Sequence, residues 1–146
     1  MTKITESIEI ARNPEEVFAY LDQLERHGEW QDQIVSSTRQ TEGPNRVGTR
    51  MKDVRRMGNR TQEVSWEITE YDPPRRVAFR GVDGPLRPVG SLTVEPSGSG
   101  SRVTVELELE PHGLMGKMLA GMATGQARKQ VPKDQAKLKE RLESGV

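Results

Sequence analysis

The chain contains no cysteine, which excludes disulfides, thiolate metal ligands and a cysteine nucleophile. Aromatic residues are scarce, with two each of Trp, Tyr and Phe. The two histidines, His27 and His112, lack a second His or a carboxylate at metal-ligand spacing, so no metal site is expected. His27 reads as a residue of a surface turn flanked by Glu25 and Glu29. No apolar run approaches the ~20 residues of a membrane span. The N-terminus lacks the apolar core of a signal peptide, and the expected location is the cytoplasm. Charge of one sign is also missing: 22 basic residues balance 22 acidic ones, which removes the bulk electrostatic argument for nucleic acid. The turn Ser97-Gly98-Ser99-Gly100 has no following Lys and no following helix, so it is no phosphate loop. There is no Gly-x-Ser-x-Gly elbow. No cofactor is expected.

What is present is enough for one folded domain, taken as residues 1–146. Leu, Ile, Val and Phe number 30 of 146 residues. That is near the level where disorder becomes the better reading, but disorder also needs a large net charge. Ile4, Ile8 and Ile10 share one strand face. Asn13 is a good N-cap, Pro14 suits the first helical position, and Glu15 and Glu16 favour the positive helix end. Val17, Phe18, Leu21 and Leu24 then recur at helical spacing, and a second short helical turn ends near Gly28. From Val35 to Glu110 strands alternate with turns. Val64, Trp66 and Ile68 form one apolar face, and Val103, Val105, Leu107 and Leu109 another. After Pro111 the pattern is helical. Met115, Met118, Leu119 and Met122 cluster on one side, while Val131, Leu138 and Leu142 lie about 170° away at 100° per residue. This predicts a short Met-rich helix, a break near Gly116, Gly121, Gly125 or Pro132, and a longer C-terminal helix.

This order of elements resembles the START-like or Bet v 1-like superfamily, and within it the polyketide cyclase/dehydrase and lipid-transport proteins. The residues that carry the likeness are IEIARNPEEVFAYL near the start, Trp30 after the short helices, WEITEYDPPRRVAFR from Trp66 to Arg80, and QVPKDQAKLKERLE from Gln130 to Glu143. The resemblance implies an α+β helix-grip fold, a curved antiparallel sheet wrapped on a long C-terminal helix, with two short helices after the first strand. It also implies an elongated cavity between sheet and helix. The expected lining is Trp30, Met51, Trp66, Phe79, Leu92, Met115, Met118 and Met122. The superfamily has no universal catalytic motif, so the resemblance transfers no catalytic residue.

Loose candidates for proton transfer are Asp53, Arg80, His112 and Tyr71. Asp53 inside would be a costly buried charge, with Arg80 as its expected partner. Arg50, Lys52, Arg55, Arg56 and Arg60 form a basic block without the interleaved aromatics of a nucleic-acid patch; it reads as a solvated outer face. The segment Gly113–Met122 combines flexible methionines with helix-weakening glycines. It reads either as a gate or as packing against the sheet rim or a dimer partner. Three functions stay open. One is a carrier or sensor of a small hydrophobic or amphipathic molecule, lipid- or polyketide-like. The second is a polyketide cyclase/dehydratase using the same cavity, and the third is a protein-interaction module.

Overall fold

The computed structural model describes residues 3–145. Strand β1 (Ile4–Ile10) leads into helix α1 (Pro14–Leu21) and a single 3₁₀ segment (Leu24–Glu29). Six strands follow: β2 (Ile34–Arg39), β3 (Arg50–Met57), β4 (Arg60–Asp72), β5 (Arg76–Gly81), β6 (Leu86–Ser97) and β7 (Gly100–Pro111). Helix α2 (Gly113–Glu143) ends the fold. The strands form one antiparallel sheet in the order β1-β7-β6-β5-β4-β3-β2. Register shifts between Ile34 and Ser36 and between Ile68 and Glu70 bend it, as bulges do. This is the helix-grip architecture that the resemblance implies.

Local chemistry explains the first turn. Asn13 Oδ1 accepts the Glu16 N–H at 2.9 Å, and Pro14 occupies the first helical position, where its missing N–H costs nothing. Val17, Phe18 and Leu21 enter the core with Ile10, Met51, Ile68, Val94 and Val103. Leu138 and Leu142 of α2 join the same cluster, and Val131 is buried beside it.

The break expected in the C-terminal segment does not occur. α2 is one helix of 31 residues with Pro132 inside it, roughly 46 Å long at 1.5 Å per residue. Its C-terminal half is fastened to the start of the chain. Gln135 Nε2 donates to the Glu6 carbonyl at 2.9 Å, Lys139 Nζ to the Glu9 carbonyl at 2.7 Å, and the Ala11 N–H to Glu143 Oε2 at 2.8 Å. The first turn approaches the β5–β6 connection through Gly116, where a Cβ would stand 2.1 Å from the Pro85 carbonyl oxygen.

The opposite side of that turn faces water. Leu114, Met115, Met118 and Met122 are 76%, 65%, 75% and 65% exposed. The expectation that Met115, Met118 and Met122 line the cavity is therefore wrong, and so is packing of this stripe on the sheet rim. A single straight helix docks one stripe only, and Val131, Leu138 and Leu142 take it. Met51 is also misplaced by the expectation: it is fully buried in the core cluster and does not reach the cavity. His27 is 6% exposed, not a surface residue, because the 3₁₀ segment turns it inward.

Candidate ligand cavity

Sheet and helix do not close on each other along their whole length. Between them lies a cavity of about 230 Å³. The sheet supplies an apolar wall that includes Val64, Trp66, Val77, Phe79, Leu92 and Leu107. β-Strand alternation explains this, since positions two apart in β4 and β7 face the same side. Of the lining residues expected from sequence, Trp30, Trp66, Phe79 and Leu92 border this space. Phe79 has room because Gly90 pairs opposite it, with the ring 3.1 Å from where a Cβ would sit.

Polar groups join this lining beside further apolar ones, among them Leu24, Trp30, Ala127 and Val131. The 3₁₀ segment and its exit bring His27, Gln31 and Gln33, β3 brings Asp53 and Arg55, and α2 brings Gln126, Gln130 and Asp134. Apart from Asp53, none of these stands out in the sequence as a site residue. A signal was present: Ala123, Ala127, Gln130 and Asp134 share the helical phase that leads into Val131 and Leu138. Small and amide residues on an inward face indicate a space that a solid core would fill with Leu.

Asp53 is the centre of this polar end. It is 4% exposed. Its Oδ2 accepts the Trp66 Nε1–H at 3.0 Å, while Oδ1 is buried without a partner among the described residues. The partner expected from sequence, Arg80, lies elsewhere: it pairs with Glu67 at 2.7 Å on the outer face. Arg55 is the nearby cation, with Nη1 3.9 Å from Asp53 Oδ2. The expected partner fails because Arg80 sits opposite Glu67 in the β4–β5 register.

His27 lies between the two tryptophans. Its ring centroid is 5.4 Å from Trp30, edge to face, and 6.3 Å from the parallel Trp66 ring. Burial holds the imidazole below its ordinary pKa, so the ring is neutral at pH 7. Nε2 is 2.8 Å from the Leu21 carbonyl. A carbonyl only accepts, so Nε2 carries the proton and Nδ1 keeps its lone pair.

Two other proton-transfer candidates stay outside. Tyr71 donates to Asp22 Oδ2 at 2.7 Å. Burial, followed by that bond, pushes its phenol up to about 12. His112 precedes the first residue of α2 and contacts Glu110 at 2.8 Å. Neither borders the cavity. Among the described residues no cluster of three metal-ligating side chains occurs, and no helix is long and apolar enough to cross a membrane. Of the basic block, Arg50 contacts Glu67 at 3.4 Å and Lys52 contacts Glu63 at 2.8 Å across strands, whereas Arg55 borders the cavity and not the expected outer face.

The family model described as polyketide cyclase / dehydrase and lipid transport matches residues 1–143. The chain belongs to that family. An uncharacterized protein of Mycobacterium tuberculosis is 30% identical over a 133-residue alignment that covers 88% of this chain and 90% of the relative. Among solved structures, a Thermus thermophilus protein superposes with a TM-score of 0.82 at 21% identity, covering 99% of this chain and all of its own. The Zhui aromatase/cyclase of a Streptomyces species gives 0.79 at 11% identity, covering 97% of this chain and 93% of that one. At such identities these two likenesses concern the fold alone.

In this polyketide cyclase/dehydrase and lipid transport family member, Asp134 gives the cavity a pH signature. Burial pushes its carboxyl up from 3.8 to about 6, against the Gln130 amide that donates to it at 2.8 Å. A raised carboxyl keeps its proton in the folded chain where the unfolded chain has lost it. Its stabilisation is thus complete below 3.8 and lost as pH rises through about 6. Asp134→Asn keeps an acceptor for Gln130 and removes the charge. Urea unfolding should show the variant about 1 kcal/mol more stable than wild type near pH 7.5, a gain that vanishes near pH 4. An equal gain at both pH values would mean that the charge is not the cause.

Proposed function

We propose that the protein binds a small hydrophobic or amphipathic molecule, lipid- or polyketide-like, between the sheet and α2. The observation that carries this reading is a cavity walled by aromatic and aliphatic side chains with polar groups gathered at one side. That is the usual make-up of small-molecule sites. A chain with so few large apolar residues has reason to fill such a space if it served only stability, because each void weakens the core. The open cavity also favours this reading over an interaction module, which needs no interior space. Trp66 borders the cavity and supports a test. With Trp30→Phe isolating its signal, apolar probes such as a fatty alcohol or a fused-ring aromatic should shift Trp66 emission saturably. Unchanged emission across a broad panel would remove the support for binding at Trp66.

Catalysis is a second reading with an observation of its own. Neutral His27, with its Nε2 bonded to Leu21, and Asp53 border one cavity, and enclosed acceptors of this kind can take a proton from a bound substrate. Incubation with a poly-β-keto thioester, followed by mass spectrometry, tests it. Loss of water from the thioester that disappears in His27→Gln supports the cyclase/dehydratase reading, and its absence leaves binding alone.

A further inference from the structure

We infer that the polar side of the cavity selects ligands presenting an uncharged hydroxyl to Asp53 and rejects those ending in a carboxylate. This inference rests on the binding role proposed above.

Three buried polar side-chain atoms lack a partner among the described residues, and two of them, Asp53 Oδ1 and Trp30 Nε1, belong to residues bordering the cavity. Buried polar groups are almost always hydrogen-bonded, so orphans in one site mark where a ligand supplies the missing bonds. One orphan accepts and the other donates. The two residues belong to one cluster. His27 packs on both tryptophan rings, and Trp66 is bonded to Asp53. A hydroxyl matches this demand in kind, since its O–H donates and its oxygen accepts.

Charge argues against a carboxylate, and hydrogen-bond matching argues against an ammonium. A carboxylate would meet two acids, Asp53 and Asp134, and, among the described residues, one cation, Arg55. Both terminal nitrogens of Arg55 already point at Gln31 Oε1, each at 3.3 Å, and Nη1 also lies 3.9 Å from Asp53. A carboxylate has no proton to give Asp53 Oδ1 and would be repelled by it. An ammonium is attracted by the two acids and could donate to Asp53 Oδ1, but it has no lone pair for Trp30 Nε1 and leaves that orphan unmet.

The test uses three probes of one shape: naphthalene, 2-naphthol and 2-naphthoate, titrated by calorimetry into the full chain near pH 7. Naphthol should bind about tenfold or more tighter than either of the others. In Asp53→Asn the side-chain oxygen stays with Trp66 Nε1 and the amide N–H₂ replaces the orphan acceptor. The naphthol preference over naphthoate should then fall about tenfold or reverse. Trp30→Phe, a conservative change, should weaken naphthol alone by a few-fold and so keeps the test open if the Asp53 variant does not fold. Comparable binding of all three probes to wild type would overturn this selectivity while leaving the cavity reading standing. A naphthoate preference would overturn it too. No binding of any probe, naphthalene included, would overturn the cavity reading and this inference with it.

Discussion

Leu138→Ala should lower stability by about 3–5 kcal/mol, the largest loss expected from any single truncation in α2. Leu138 is fully buried and belongs to the main core cluster. Its removal costs the transfer free energy of the side chain and leaves a void that cannot collapse easily. The helix is pinned on both sides of it, by Gln135 to Glu6 and by Lys139 to Glu9. Met118→Ala, on the same helix but 75% exposed, should cost less than about 0.5 kcal/mol. Urea unfolding of the two variants under one condition measures the contrast. Equal losses would mean that the exposed stripe is covered in solution.

Gly90→Ala should be nearly as damaging, at about 3 kcal/mol, by the opposite mechanism. A Cβ at position 90 would lie 2.3 Å from the Glu106 carbonyl oxygen, so backbone must move. Gly90 pairs with Leu107 of β7 on one side and Phe79 of β5 on the other. Relief of the clash therefore separates β6 from β7 or drives the Phe79 ring into the cavity. Overpacking of this kind usually costs about 1–3 kcal/mol, and contact with backbone puts this case at the upper end. Gly121→Ala is the control, since no atom beyond its own helical turns lies within 4 Å of its added Cβ. That change should stabilise by about 0.8 kcal/mol through helix propensity alone. A Gly90 variant as stable as wild type would show that the sheet is looser there than its geometry indicates.

The strands and the N-cap of α1 were legible because local chemistry decides them. Asn13-Pro14-Glu15-Glu16 starts the helix as written, and the alternation in β7 dictates its faces whatever lies opposite. The cavity itself was expected only through the family resemblance, and of the sheet residues expected to line it Trp66, Phe79 and Leu92 border the space while Met51 does not. The polar side was not legible, because it is assembled from segments far apart in the chain. Nothing local to the sequence around Asp53 shows that Trp66, two pairs along the β3–β4 ladder, binds it, or that the 3₁₀ segment turns His27 inward. The continuity of α2 was missed for a third reason. Two stripes on opposite sides of a helix call for a break only if both are buried, and here Met115, Met118 and Met122 stay in water. Pro132 is tolerated within the helix because tertiary bonds hold the turns after it.

Binding of a small molecule among Trp30, His27, Asp53 and Trp66 can be read from the indole N–H signals in a ¹⁵N-correlated NMR titration. The chain has two tryptophans, so two indole peaks appear. Trp66 Nε1 donates to Asp53 and Trp30 Nε1 has no partner among the described residues, so the peaks should be well separated and assignable by Trp30→Phe. On titration with 2-naphthol, both peaks should move saturably with one dissociation constant, the Trp30 peak downfield as it gains an acceptor. Saturable binding by calorimetry with both indole peaks unmoved would place the ligand elsewhere and contradict the proposed site.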